Sequence, residues 1–272
     1  MTYKKNVEHK QNWQEELKVS SRDPPKIFTL DYRDRDELKL FALSDIHWGN
    51  RQCDKDLVKA NIDRIAQKEM ACIDLGDLIE NATRDSVGSG VYEQESIAQE
   101  QMEQAVELYQ PIKHLLKFMH PGNHELRTMN QGGVNLTKVM AKMLGVPYAG
   151  FGAVSYIMVG NQRYVMYTHH GGSGASTIGG KMNSLLALEK IVNAEIYIQG
   201  HTHECIFQGR EYMDFDAKSR RLVPRRKYFV NNGAYLDYWG SYGQIKAYSP
   251  GTKGNAQLTL SGTKHEVEVS FV

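Results

Sequence analysis

Tyr197-Ile198-Gln199-Gly200-His201-Thr202-His203 is an apolar run that ends in two histidines two residues apart. Residues i and i+2 of an extended chain lie on one side, so His201 and His203 can bind neighbouring metal ions or share one. A turn made by Gly200, with both imidazoles in water, accounts for the same residues. The rest of the chain decides between these readings.

Four upstream apolar runs end in the same kind of block. Leu38 to Leu43 leads into Ser44-Asp45-Ile46-His47-Trp48-Gly49, a carboxylate and an imidazole two apart, which makes a mixed oxygen and nitrogen ligand pair. Met70 to Leu75 leads into Gly76-Asp77-Leu78-Ile79-Glu80, and Leu116 to Met119 into Pro121-Gly122-Asn123-His124-Glu125-Leu126-Arg127. Arg163 to Thr168 ends in His169-His170 and then Gly171-Gly172-Ser173-Gly174. Between the first two runs Val58, Ile62 and Ile65 recur at helical spacing, predicting a helix over about 53–68. Strand, helix, strand is a βαβ rhythm, which predicts a parallel sheet with its active groups at the carboxyl ends of the strands.

The other elements are read by the same rules. A polar arm over 1–25 places Trp13 and Leu17 on one face of a short helix and closes at Pro24-Pro25; residues 26–272 form one domain. Helices are expected over 94–116, broken at Pro111, over 136–144 between Asn135 and Gly145, and over 182–192. Residues 81–93, with Gly88-Ser89-Gly90, read as a surface loop. Gly160-Asn161 joins two strands as a hairpin, and the chain beyond Cys205 is strand-like, including 227–231 and 266–271.

With 272 residues and a net charge of +1, the chain gives no global sign of nucleic-acid or membrane binding, so an anionic partner must meet a local patch. No apolar run approaches the roughly 18 residues of a spanning helix. Cys53, Cys72 and Cys205 are too few and too scattered for a disulfide framework, which points to reduced thiols in a cytoplasmic setting.

Taken together the blocks are Asp45/His47, Asp77, Asn123/His124, His169 or His170, and His201/His203. In that order they resemble the pattern D-x-H, G-D, G-N-H-[D/E], H, G-H-x-H of the calcineurin-like metallophosphoesterases, over about Leu38 to His203. The resemblance implies an α/β fold, a sandwich of two mixed β-sheets flanked by helices, with a dinuclear metal site at the strand ends. It implies that Asp45, His47, Asp77 and His203 hold one divalent ion and that Asp77, Asn123, His169 and His201 hold the second. Manganese is the first choice, with iron, zinc, nickel and magnesium as alternatives. Two such ions lower the pKa of a shared water and clamp the oxygens of a displacement at phosphorus. By the same resemblance His124 stabilises the transferring phosphoryl group or protonates the leaving oxygen. His169 is favoured over His170 because it follows the strand directly, although Gly171 as the following glycine would select His170.

Around this set stand residues with two readings each. Arg127 either grips a substrate phosphate or makes a surface salt bridge; Glu80 and Asn81 either support Asp77 or are solvated; Gly171 to Gly174 either admits a phosphate to the backbone or is a flexible loop. Lys218, Arg220, Arg221, Arg225, Arg226 and Lys227 crowd an insertion over 210–228 around a turn containing Pro224. It reads as an anion-attracting flap for DNA or a nucleotide, or as a hairpin paired with Glu211, Asp214 and Asp216. Tyr235, Tyr238, Trp239 and Tyr242 read as packing rather than as a platform for a base. The resemblance thus implies a phosphoester substrate, expected to be a nucleotide or related compound, with a DNA nuclease and a catalytically silent metal-binding scaffold as the alternatives.

Overall fold

A computed structural model of the chain describes residues 24–84, 86 and 90–272. Residues 1–23 of the arm, where the helix with Trp13 and Leu17 is expected, and the Gly88-Ser89 part of the expected loop lie outside the described residues. The described strands form two sheets. One holds β2 (Glu37–Leu43), β3 (Ala71–Asp74), β4 (Leu116–Met119), β10 (Ala256–Ser261) and β11 (Val267–Phe271) in the order β11-β10-β2-β3-β4. The other holds β1 (Lys26–Tyr32), β5 (Gly152–Val159), β6 (Gln162–His169), β7 (Ile196–Gln199), β8 (Ile206–Asp216) and β9 (Arg221–Asn231) in the order β1-β5-β6-β7-β9-β8. Within each, three adjacent strands are parallel, β2-β3-β4 in the first and β6-β7-β9 in the second.

The parallel strands are covered on both faces, which is why they read as unbroken apolar runs. In β2, Leu38, Leu40 and Ala42 join Tyr164, Met166, Ile196, Ile198 and Val230 of the other sheet in the core between the two. Phe41 and Leu43 point the other way, into a second core with the helices α1 (Lys55–Gln67), α2 (Ala98–Tyr109) and α4 (Leu136–Leu144). A third core joins Tyr167, Tyr197 and Phe229 to Leu185 of α5 (Ile178–Ala187).

In α1 the Asp54 carboxylate accepts the Leu57 N–H at 3.0 Å, and Val58, Ile62 and Ile65 are buried. Burying three such side chains contributes roughly 5–9 kcal/mol, against about 1 kcal/mol for the cap. The stripe holds the helix and the cap sets where it starts. Asn135 and Gly145 bound α4 as expected. The helix expected over 94–116 begins only at Ala98, and Pro111 ends it in a 3-10 turn over Gln110–Ile112. The helix expected over 182–192 starts earlier, at Ile178, because the Thr177 hydroxyl caps it, and gives way to a 3-10 turn after Ala187.

Pro224 corrects the expected turn: it lies within β9, opposite Met213. The Tyr228 N–H faces β7, donating to Glu195 O at 2.8 Å. Pro224, four residues earlier, faces the same side, beyond the start of the β7 pairing, so its missing N–H costs no ladder bond. No described helix is long and apolar enough to cross a membrane.

Candidate metal centre

The carboxyl ends of β2, β3, β4, β6 and β7 meet at one end of the seam between the sheets. There the chain turns sharply. Asp45, His47, Asp77, His201 and His203 have φ of 53°, 53°, 55°, 68° and 53°, in the left-handed region that side chains other than glycine seldom enter. Each such residue costs about 1–2 kcal/mol, and concentrated strain of this kind marks functional sites. Two glycines are dictated by close approach: a Cβ on Gly122 would lie 2.0 Å from Asp77 Oδ1, and one on Gly200 would lie 2.3 Å from Asp45 Oδ2.

Two sets of side chains converge on Asp77. In the first, Asp45 Oδ1 is 3.3 Å from His203 Nε2, and His47 Nε2 is 3.2 Å from His203 Nε2 and 3.9 Å from Asp77 Oδ2. In the second, His170 Nε2 lies 3.4 Å from Asp77 Oδ2 and 3.1 Å from Asn123 Oδ1, and His201 Nδ1 lies 2.8 Å from the same Asn123 oxygen. Asp45, His47 and Asp77 are buried, whereas His203 and His201 are partly open to solvent, so the cluster has a covered floor and an accessible side.

The chemistry of these contacts fits a cation. His170 Nδ1 is 2.9 Å from Leu75 O, an acceptor, so that nitrogen carries the proton and Nε2 turns a lone pair toward two oxygens. Such a contact needs a second proton or a metal ion. Burial alone would push His170 down, but the Asp77 carboxylate outweighs it and lifts the imidazole to about 10; the imidazoles in turn hold Asp77 well below the usual carboxylate range against the cost of its burial. Where acid–base balance keeps a proton, a divalent ion can take its place. The facing nitrogens of His47 and His203 have the same requirement.

A surrounding layer fixes the set. Asp45 accepts the His201 N–H at 2.9 Å and 3.0 Å through its two oxygens, tying the two sheets together. Glu125, to which the sequence assigns no role, is buried and accepts the N–H groups of Asp77 (3.1 Å), Ile79 (3.0 Å) and Gly122 (2.8 Å), clamping the β3 loop to the start of α3 (Asn123–Gly132). Glutamate three residues past a helix cap is the signal that could have found it. Glu80 supports the histidines more than Asp77: Oε2 is 3.3 Å from His47 Nδ1, and its backbone oxygen accepts from His124 Nδ1 at 2.7 Å. Asn81 holds the same loop by donating to His124 O at 2.6 Å.

His124 Nε2 lies 3.9 Å from Asp77 Oδ2, beside both ligand sets, and burial pushes its imidazole down to about 4. Arg127 reaches this corner too, Nη2 donating to His124 Nε2 at 2.9 Å and Nη1 to Glu80 O at 3.0 Å, and Nη1 also lies 3.6 Å from Glu80 Oε1, so the salt bridge it makes is with a buried carboxylate beside the cluster.

Placement differs from the sequence-based expectation at the paired histidines. His169 turns away from the cluster and accepts the Gly171 N–H on its own Nδ1 at 2.8 Å; His170 is the residue beside Asp77 and Asn123. Thr168 faces the core between the sheets, where His120 Nε2 meets its hydroxyl at 2.9 Å, and alternation then sends His169 to the opposite face and brings His170 back. The basic insertion also stands apart. From Ile206 near the site, β8 runs about 33 Å to its tip at roughly 3.3 Å per residue, and Lys227 and Arg210 pair with Glu189 while Arg225 lies 3.8 Å from Asp214. The aromatic stretch divides: Tyr235 is core, its hydroxyl accepting from Asn61 at 3.0 Å, whereas Trp239 is exposed with Tyr238 edge-on to it.

No protein-family model matches the chain, and no curated protein matches it in sequence. Three solved structures are similar to it in outline. A metallophosphoesterase from Sphaerobacter thermophilus is 14% identical, over 86% of this chain and 88% of its own, with a TM-score of 0.40. Vps29 from Entamoeba histolytica, complexed with zinc, is 15% identical over 86% and 98%, with a TM-score of 0.37. A protein serine/threonine phosphatase from Saccharomyces cerevisiae is 11% identical over 91% and 84%, with a TM-score of 0.38. At these values the likenesses lend no weight to a functional assignment, which rests on the side chains. Two mixed sheets flanked by helices, with a histidine and aspartate cluster at their strand ends, are the architecture that the resemblance to calcineurin-like metallophosphoesterases implies.

Proposed function

We propose that the chain is a dinuclear, metal-dependent phosphoester hydrolase, a phosphodiesterase or phosphatase acting on nucleotides or related phosphoesters in a reducing, cytoplasmic compartment. The observation that carries the reading is the position of Asp77: its Oδ2 stands 3.9 Å from His47 and 3.4 Å from His170, one carboxylate between two ligand sets. Asp45, His47, Asp77 and His203 would hold one ion, and Asp77, Asn123, His170 and His201 the other. This mixture of imidazole, carboxylate and amide suits manganese first, and iron, zinc, nickel or magnesium as alternatives. Bound there, two divalent cations supply a water activated at neutral pH and positive charge for the oxygens around phosphorus.

The remaining steps belong to the protein. With two such cations bound, neutral imidazoles and Asn123 would leave much of their positive charge uncompensated, so an anionic ester would be drawn in rather than repelled. Arg127 can exchange its Nη2 bond to His124 for one to a phosphoryl oxygen while Nη1 stays on Glu80 O. His124 is held by its Nδ1 contact with Glu80 O at 2.7 Å, which turns Nε2 to the reacting side; a proton taken there from the attacking water would form an imidazolium, which returns to the neutral imidazole on handing that proton to the leaving oxygen. The basic tip of the β8–β9 hairpin gives the nuclease alternative no support, since its tip lies far along the strand from the cluster.

Hydrolysis of bis(p-nitrophenyl) phosphate should depend on added Mn²⁺ and collapse in His124→Ala with metal content unchanged. Wild-type protein that binds two ions yet turns over no diester, monoester or single-stranded DNA would leave only a silent scaffold.

A further inference from the structure

The β8–β9 hairpin is longer than the sheet behind it. β9 pairs with β7 only over Tyr228 to Asn231, whereas β8 and β9 pair with each other from Ile206↔Asn231 to Asp216↔Arg221. The distal half is thus a two-stranded ribbon, a form that is marginal alone in water. On one of its faces Met213 opposes Pro224 and Phe215 opposes Leu222, and Met213, Phe215 and Leu222 are 60%, 62% and 64% exposed. Clustered apolar exposure of this kind marks a contact surface.

β8 is also the edge of its sheet: among the described residues no strand pairs with its outer side. The register shows which backbone groups face out. Tyr228 turns its N–H to Glu195 on the β7 side, so Phe229 turns its own toward β8 and its partner Gln208. By alternation, Gln208, Arg210, Tyr212, Asp214 and Asp216 direct their backbone groups to β9. Phe207, Gly209, Glu211, Met213 and Phe215 present theirs outward. An unpaired edge of this length is a template for another strand.

We propose that this edge is the interface between two copies of the chain, β8 pairing antiparallel with β8 of a second copy about a twofold axis through Tyr212. A twofold axis perpendicular to the sheet keeps every residue on its own face, so one residue must pair with itself. Centred on Tyr212, the register sets Arg210 opposite Asp214 and Gly209 opposite Phe215, each twice by symmetry, and satisfies the outward groups of Gly209, Glu211, Met213 and Phe215. Opposite charges across strands stabilise the pairing, and an aromatic ring over an edge glycine protects it. Arg210, which pairs with Glu189 in its own chain, then lies between two carboxylates. The same register sets Glu211 opposite Met213; moving the axis to Glu211 sets that carboxylate against its own copy, and moving it to Met213 exchanges Arg210–Asp214 for Arg210–Asp216, sets Glu211 opposite Phe215 and loses the Gly209–Phe215 contact.

Sedimentation of the full chain from about 1 to about 100 µM tests the association by mass action, and the expected species has twice the 30.9 kDa chain mass. In a Cys205→Ser background, Tyr212→Cys should form an intermolecular disulfide on mild oxidation, because facing non-hydrogen-bonded residues lie about 4.5 Å apart, within disulfide reach. Gln208→Cys, opposite Asp216, should not. Glu211→Pro removes an outward N–H while sparing the β9 ladder, and should give monomers with hydrolysis retained. Wild-type protein that stays monomeric at the highest concentration, equal cross-linking of both cysteine variants, or a Glu211→Pro protein that remains dimeric would overturn the proposal.

Discussion

Replacing Glu125 by glutamine tests how much of the site depends on one carboxylate. Its Oε2 accepts two backbone N–H groups, from Asp77 and Gly122, and its Oε1 accepts a third, from Ile79. A glutamine has one acceptor oxygen. Placed where Oε2 was, it keeps two bonds and turns its NH₂ toward the Ile79 N–H, donor against donor. Losing a bond to a charged acceptor costs about 1.5–3 kcal/mol, and an orphaned buried N–H about 1–3 kcal/mol. The negative end at the start of α3 contributes a further 0.3–1 kcal/mol or so. Relief of repulsion works the other way, since burial and the neighbouring Asp77 charge raise Glu125 above the ordinary glutamate value. The net expectation is a loss of about 2–4 kcal/mol, a fall in melting temperature of roughly 4–16 °C for a chain of this size. Thermal unfolding followed by circular dichroism measures it, with Glu125→Ala as the more severe comparison because it orphans all three N–H groups. A glutamine variant that melts within a degree of wild type and binds the same number of ions would refute the clamp.

Two further outcomes are expected from side chains around the cluster. Burial pushes the Asp74 carboxyl from 3.8 up to about 7, so the folded chain holds that proton more tightly than the unfolded one. The stabilising contribution is complete below about pH 4 and is lost as pH rises to about 7, by at most about 4 kcal/mol. Asp74→Asn keeps an oxygen for the Gly76 N–H, now 2.7 Å from Oδ1, and should flatten urea-unfolding stability between pH 5 and pH 8; an unchanged slope would show that Asp74 is not its source. His170→Ala should lower bound manganese, measured by elemental analysis, from two ions to one per chain while His169→Ala leaves it at two, and the reverse result would restore His169 as the ligand.

Much of this was legible in the sequence because buried parallel strands announce themselves as apolar runs, and a site at their ends places its residues directly after each run. The convergence of Asp45, His47, Asp77, Asn123, His201 and His203 on one cluster was readable that way. The choice between His169 and His170 was not. Both faces of β6 are apolar, Tyr164 and Met166 toward the other sheet and Val165 and Tyr167 toward α5, so alternation separates the two histidines but cannot say which face meets the site. Glu125 stayed hidden because its role lies in three backbone N–H groups, two of them about 46 to 48 residues away in the chain. Pro224 misled for a local reason: proline usually marks a turn, and only the short reach of β7 leaves room for it in a strand.

Asp45, His47, Asp77 and Asn123 come from the ends of one sheet, and His170, His201 and His203 from the other. An ion held by either set would therefore rivet the sandwich at its open end, and its binding energy would count toward keeping the two halves shut. Chelation would do more than silence chemistry: it would let that end of the molecule breathe, with amide protons along Leu43 to Asp45 and Gln199 to His201 exchanging sooner than those at the far end of the same strands.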